Sequence, residues 1–299
     1  RVAAVGSRSG EKAEAFGEKF AIPNRHGSYE ALVADPTVDI VYVATPHPMH
    51  CENALLAIEA GKHVLVEKAF TMSAAEARQV VNAAGKQRRF VMEAMWTRFL
   101  PVMDRVMELI RAGAIGEPRV LFADHNQYIP YEKAPRVHEP ELGGGSVLDL
   151  GIYPYSFASR IFGKPKTITA RATLSPLGVD ELTSTIFEYD SGAQAVSQIG
   201  FLTPGPNTAS VIGTDGRIDI DRVWYTQTGF THYDRGGKLI ERYEEKIDGR
   251  GMQYQALEVE RCIREGIPES PIMPLGETIE LMETMDEILG RIGVTYPKR

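Results

Sequence analysis

Val38-Asp39-Ile40-Val41-Tyr42-Val43-Ala44 is an apolar, β-branched run of strand length, and Thr45-Pro46-His47-Pro48 ends it. A helix follows to Ala60, and Gly61 stands where a C-cap belongs. His63 to Val66 reads as the next strand. Ser73 then opens a helix with Glu76 three residues on, a capping-box spacing, and Arg89 to Glu93 gives a further strand. Upstream, Arg1 to Val5 is strand-like, Gly6 to Gly10 turns into a helix over Glu11 to Phe20, and Ser28 caps a helix over Tyr29 to Ala34. Strands alternating with helices imply right-handed βαβ units and a parallel sheet covered on both faces. Residues 1–94 therefore predict an α/β, Rossmann-type, doubly wound domain that binds a dinucleotide.

Ligands of such sheets lie beyond the carboxyl ends of the strands. That directs attention to Ser7 and Arg8, Thr45-Pro46-His47, Glu67-Lys68, and Glu93 to Arg98. The glycine fingerprint G-x-G-x-x-G does not occur in the sequence. The turn at Gly6 instead suits the end of a second strand, where an acid favours a free ribose 2′-hydroxyl and arginine accommodates a 2′-phosphate. Ser7, Arg8 and Lys12 supply a hydroxyl and two cations, so NADP is favoured over NAD. The domain's first strand and glycine loop are expected to lie outside this chain, which would leave a gap in mid-sheet.

Residues 95–299 read as an α+β domain with a mostly antiparallel, open sheet. A helix over Pro101 to Ala112 precedes a strand from Pro118 to about Phe122, then a polar loop from His125 to Glu141. Strand-like runs follow at Thr167 to Leu174, Leu182 to Tyr189, Ala193 to Phe201, Ala209 to Ile212, Arg217 to Ile220 and Lys238 to Glu244. Helices over Met252 to Glu265 and Leu275 to Arg291 end the chain. A half-covered sheet leaves a face suited to self-association, as a dimer or tetramer.

Between loop and sheet stands Gly143-Gly144-Gly145-Ser146-Val147-Leu148-Asp149-Leu150-Gly151-Ile152-Tyr153-Pro154-Tyr155. On a helix Asp149 and Tyr153 would share one face. Taken alone, the pair fits chemistry and fits equally a helix whose Asp and Tyr satisfy buried backbone groups. Pro154 removes a backbone donor, so a kinked or late-starting helix is expected there.

Over 299 residues, 43% are hydrophobic and 24% charged, as in an ordinary globular protein long enough for two domains. The net charge of −7 argues against nucleic acid or anionic membrane as the main partner. No apolar run approaches the ~20 residues of a membrane span. Two cysteines, Cys51 and Cys262, make neither a disulfide framework nor a metal site, and the expected compartment is a reducing cytoplasm. No His/Cys/carboxylate cluster has metal-ligand spacing, so no metal is expected.

Several motifs together resemble the Gfo/Idh/MocA oxidoreductases, in the branch of dimeric dihydrodiol dehydrogenases and NADP-dependent D-xylose dehydrogenases. They are Tyr42 to His50 (YVATPHPMH), Gly61 to Lys68 (GKHVLVEK), Met92 to Phe99 (MEAMWTRF), Leu148 to Tyr153, Asn207 to Thr214 and Gly293 to Pro297. By position, the resemblance implies a catalytic lysine at Lys68, an acid/base residue at Tyr153 and an accompanying aspartate at Asp149. It implies 2′-phosphate contacts at Arg8 and Lys12, and Trp96 and His125 lining the nicotinamide and substrate pocket. Thr45, Pro46, His47, His50, Glu67 and Arg98 complete the expected cofactor set, with helix capping as the alternative for the two histidines, a surface ion pair for Arg98 and plain core packing for Trp96. Ala69 follows Lys68 where the family reads proline, and cis geometry is costly before alanine.

Hydride transfer from a carbinol needs a base for the hydroxyl proton. A free tyrosine, with a pKa of about 10, is weak in that role, and a neighbouring ammonium favours its phenolate. The expected activity is thus NADP-dependent oxidoreduction of a sugar, polyol or vicinal diol. The alternatives are a cofactor-binding regulatory protein on the same fold, or an NAD-dependent glycoside hydrolase.

Overall fold

The computed structural model describes residues 1–297. Its first third alternates β1 (Ala4–Gly6), α1 (Gly10–Lys19), β2 (Asn24–His26), α2 (Tyr29–Ala34), β3 (Ile40–Val43), α3 (His50–Glu59), β4 (His63–Glu67), α4 (Ala74–Gln87) and β5 (Val91–Ala94). Ser9, Ser28 and Ser73 cap α1, α2 and α4, each hydroxyl accepting the N–H three residues on. Every pairing among these five strands is parallel. They form two ladders, β1–β2 and β3–β4–β5, and among the described residues no hydrogen bonding joins the two. Val41, Val43, Val64, Val66, Val91 and Met92 are buried between helices, and Ala54, Ala57 and Ala77 let α3 and α4 lie close to the sheet.

Beyond β5 come α5 (Pro101–Arg111), β6 (Pro118–Asn126), α6 (Ile152–Phe162), β7 (Thr167–Leu174), β8 (Asp180–Glu188), β9 (Gln194–Gly200), β10 (Ala209–Gly213), β11 (Gly216–Ile220), β12 (Phe230–Asp234), β13 (Leu239–Tyr243), α7 (Gln253–Glu265) and α8 (Leu275–Ile292). The eight strands form one sheet in the order β13-β12-β11-β10-β6-β9-β8-β7, antiparallel except for β6–β9. α6 packs on β6, while α8 packs on both β7 and α4 and so ties the two halves together. At that junction Asp286 of α8 accepts the Ala74 N–H at the start of α4, at 2.9 Å. On the other face of the sheet, Ile186, Val196 and Phe122 are register partners in a cross-strand row. Phe122 is 49% exposed and Ile186 39%.

One expectation is revised, two strands are added to those foreseen, and the expected late helix start gains a cause. The loop foreseen from His125 begins later, because β6 continues to Asn126 and pairs with Ile199 and Gly200. His125 is therefore a buried strand residue. The strands β2 and β12 had no sequence signal: β2 is three polar residues, and β12 is defined by its pairing with β11 and β13. Finally, Val147–Gly151 forms a π-helical turn, and α6 starts only at Ile152. Pro154 thus sits in the first α-helical turn.

Candidate active site

The carboxyl ends of β1, β3, β4 and β5 carry Ser7 and Arg8, Thr45, Lys68 and Trp96 respectively. Lys68, one residue past β4, reaches the π-helical turn. Its Nζ donates to the Asp149 carbonyl at 2.7 Å and stands 3.4 Å from Asp149 Oδ1. The same ammonium lies 5.1 Å from the centre of the Tyr153 ring. From the turn after β5, Trp96 Nε1 donates to Tyr153 Oη at 3.0 Å. His125 meets the Tyr153 ring edge-on, with centroids 4.9 Å apart, and stacks on Tyr225 at 3.8 Å. The structure thus brings Lys68, Asp149, Tyr153, Trp96 and His125 together from both halves of the chain.

The glycine run explains how the π-helical turn comes so close. Gly143 has φ +69° and Gly145 φ +113°, and a Cβ on Gly145 would lie 2.5 Å from Asp180 Oδ1. Asp180 Oδ2 in turn accepts from Ser146 Oγ at 2.6 Å and Val147 N at 2.9 Å, anchoring the start of the turn to β8. Burial pushes the Asp180 carboxyl up to about 6.

The electrostatics are dominated by burial set against charge. Burial disfavours the charged form of Asp149, but Lys68 and Arg136 outweigh it and hold its carboxyl well below the usual carboxylate range. Burial likewise opposes the Lys68 ammonium, and Asp149, Tyr153 and Glu67 overcome it, so the net shift is upward. Lys68 and Asp149 are therefore an ionised pair at neutral pH. His125 is held down to about 3 by burial, with Lys68 adding to the effect, and is neutral.

Arg136 and Tyr225 escaped the sequence reading. Arg136 Nη2 donates to Asp149 Oδ1 at 3.2 Å, and the Tyr225 carbonyl accepts Thr97 Oγ1 at 2.8 Å. Both come from irregular segments, where no periodicity marks a functional side chain.

The rest of the expected cofactor set divides. Ser7 Oγ accepts the Ser9 N–H at 3.2 Å, while Arg8 and Lys12 are exposed and form no ion pair among the described residues. Thr45 Oγ1 accepts from Asn53 at 3.1 Å, and Pro46 leads into a single 3-10 turn. Glu67 accepts the Tyr42 hydroxyl and, at 3.1 Å, the Lys68 N–H.

His47 and His50 both face backbone carbonyls. His47 faces the Gly143 carbonyl at 3.0 Å and the Lys68 carbonyl at 3.1 Å; His50 faces Ala69 at 2.9 Å and Thr45 at 2.7 Å. Burial holds His47 down to about 4 and lowers His50 too, so each neutral ring has a single N–H to donate to one of the two carbonyls it faces. The Lys68–Ala69 peptide bond between them is cis.

Arg98 is a correction. Its five N–H donors go to Ser156, Ile272 and, in bidentate fashion, Glu277, leaving none for a cofactor. Among the described residues no group of His, Cys, Asp and Glu could hold a metal, and no helix is long and apolar enough to cross a membrane.

A dinucleotide-binding parallel sheet, set against an open antiparallel sheet with a Lys–Asp–Tyr cluster at their junction, defines a two-domain oxidoreductase. A family model described as "Oxidoreductase family, NAD-binding Rossmann fold" matches residues 1–95, and one described as "GFO/IDH/MocA C-terminal domain" matches residues 103–219. The chain belongs to the Gfo/Idh/MocA family and is an NAD(P)-dependent oxidoreductase acting on CH–OH groups. It is 38% identical to a trans-1,2-dihydrobenzene-1,2-diol dehydrogenase of Mus musculus over 100% of this chain and 90% of that protein. The Xenopus tropicalis protein of the same name is 36% identical, over 99% and 91%. Among solved structures, an aldose-aldose oxidoreductase from Caulobacter crescentus complexed with glycerol superposes with a TM-score of 0.87 at 27% identity, covering 97% of this chain and 89% of that one.

Proposed function

We propose that the chain transfers a hydride between NADP and the carbinol or carbonyl carbon of a vicinal diol, polyol or sugar, with Tyr153 as base in oxidation and acid in reduction. The observation that carries this reading is the convergence on Tyr153: Trp96 N–H at 3.0 Å from its oxygen and the Lys68 ammonium 5.1 Å from its ring. The dihydrodiol dehydrogenases among the relatives, and the aldose-aldose oxidoreductase among the structures, support the substrate class.

The nicotinamide supplies the hydride acceptor or donor. Tyr153 Oη accepts from Trp96 and keeps its own O–H for the substrate oxygen. When that proton leaves, Lys68 and the Trp96 N–H stabilise the negative charge on Oη. Asp149, being ionised, can only accept hydrogen bonds. Its Oδ1 is shared by Lys68 and Arg136, and its Oδ2 takes the second hydroxyl of a diol. Arg8 and Lys12, exposed and without ion-pair partners among the described residues, suit a 2′-phosphate. Residues 1–94 would hold the cofactor, and residues 95–299 the substrate and the contact between copies. Cys51 and Cys262 are free and buried, which suits a reducing cytoplasm.

The test is incubation with NADP or NAD and a panel of vicinal diols, polyols and aldoses, following the absorbance of reduced cofactor. Net NADPH formation, faster than with NAD, is the expected result. Cofactor binding without turnover would point instead to a regulatory protein, and sugar release without net reduction to a glycoside hydrolase.

A further inference from the structure

One fully buried acid has no part in the chemistry above. Glu93, on β5 opposite Val66, is 0% exposed, and its Oε1 accepts the Phe70 N–H at 3.0 Å. Phe70 is two residues past Lys68 and is also fully buried. His47 and His50 face the Lys68 and Ala69 carbonyls, so side chains stand against three successive residues of the Lys68–Phe70 segment, and the Phe70 N–H is the one with a settled acceptor. We infer that Glu93 is a positioning residue for Lys68: its carboxyl fixes the Lys68–Phe70 segment, and with it the place of Nζ against Asp149 and Tyr153. The inference rests on reading Lys68 as catalytic.

The segment lies past the end of β4, where no ladder satisfies its backbone. Without Glu93 the Phe70 N–H would be a buried donor lacking a partner, and the loop would have to shift to find one. The other polar groups facing Glu93 are Arg98 from the turn after β5 and Thr278 and Glu277 from α8. Arg98 spends its hydrogen bonds on Glu277 and other groups, while its positive charge acts to lower the Glu93 pKa. Burial raises the carboxyl to about 7, with Arg98 and the Phe70 N–H opposing it, and Oε1 can accept the Phe70 N–H in either protonation state.

Glu93→Leu and Glu93→Gln, compared in steady-state kinetics, test this. Leucine is expected to lower kcat by about 10²-fold, as for a reacting group displaced by roughly 1 Å, with the Kd for NADP unchanged. Glutamine, offering the same acceptor, should restore kcat to within about threefold of wild type. A folded leucine variant with wild-type kcat, or a glutamine variant as impaired as the leucine one, overturns the inference. If the leucine variant does not fold, the glutamine variant decides alone by whether it meets that threefold limit. Lys68→Ala is the control: were it active, the site reading itself would fail, whereas inactive Lys68→Ala beside active Glu93→Leu sinks this inference only.

Discussion

Asp149 is where the two halves of the site meet: Lys68 reaches it from the end of a parallel strand, and Arg136 from the loop after β6. Strand ends directed attention to the lysine and Trp96, while the i, i+4 spacing of Asp149 and Tyr153 left a structural alternative open until the family resemblance implied roles for all four. Arg136 was not legible, since only the folded loop carries it to Asp149. Glu93 stood at a strand end but pointed to no role until the Phe70 amide was seen against it. Arg98 misled for an opposite reason. An arginine just past a strand end stands where cofactor contacts gather, and only tertiary contact reveals that Glu277 and Ser156 consume it. Cofactor choice belongs at this scale too. Arg8→Ala should weaken NADP binding by about 10–100-fold while leaving NAD affinity unchanged, the loss of a charged hydrogen bond worth roughly 1.5–3 kcal/mol. Titration of cofactor fluorescence with both dinucleotides measures it, and equal losses for the two would refute the 2′-phosphate assignment.

Among the elements, the alternating strands and helices of the first 94 residues, β2 excepted, were readable from serine caps and β-branched runs. The antiparallel sheet was readable except where pairing, and not composition, makes the strand, as in Phe230–Asp234. The π-helical turn was foreshadowed by Pro154 only as a late helix start. What holds α6 and α8 to the turn after β5 is the Arg98–Glu277 pair, with Arg98 3% and Glu277 20% exposed. Removing one partner of a buried pair costs about 3–5 kcal/mol, so Arg98→Ala should lower Tm substantially at neutral pH. Burial raises the Glu277 pKa, yet the Arg98 hydrogen bonds and charge prevail, and the net shift is downward from 4.5. The pair's contribution is therefore complete above that unfolded value and lost as pH falls through the lower folded one. The Tm difference between wild type and Arg98→Ala should shrink on acidification below 4.5. A difference independent of pH would mean that packing, and not the ion pair, is what arginine contributes.

For the whole molecule, the question is what covers the outer face of the eight-stranded sheet. The row Ile186, Val196 and Phe122 runs across three adjacent strands, with Phe122 49% exposed. A second copy of this face is the occupant foreseen from the half-covered sheet. Sedimentation equilibrium should give a dimer or tetramer, and Phe122→Asp should shift it toward monomer; a monomeric wild type contradicts this. The account as a whole stands on Tyr153 moving the proton. The most direct measurement is kcat for Tyr153→Phe beside its Kd for NADP. The expected result is a kcat lower by about 10²–10⁴-fold with cofactor affinity preserved, whereas a phenylalanine variant that turns over diols or sugars at the wild-type rate would contradict the account.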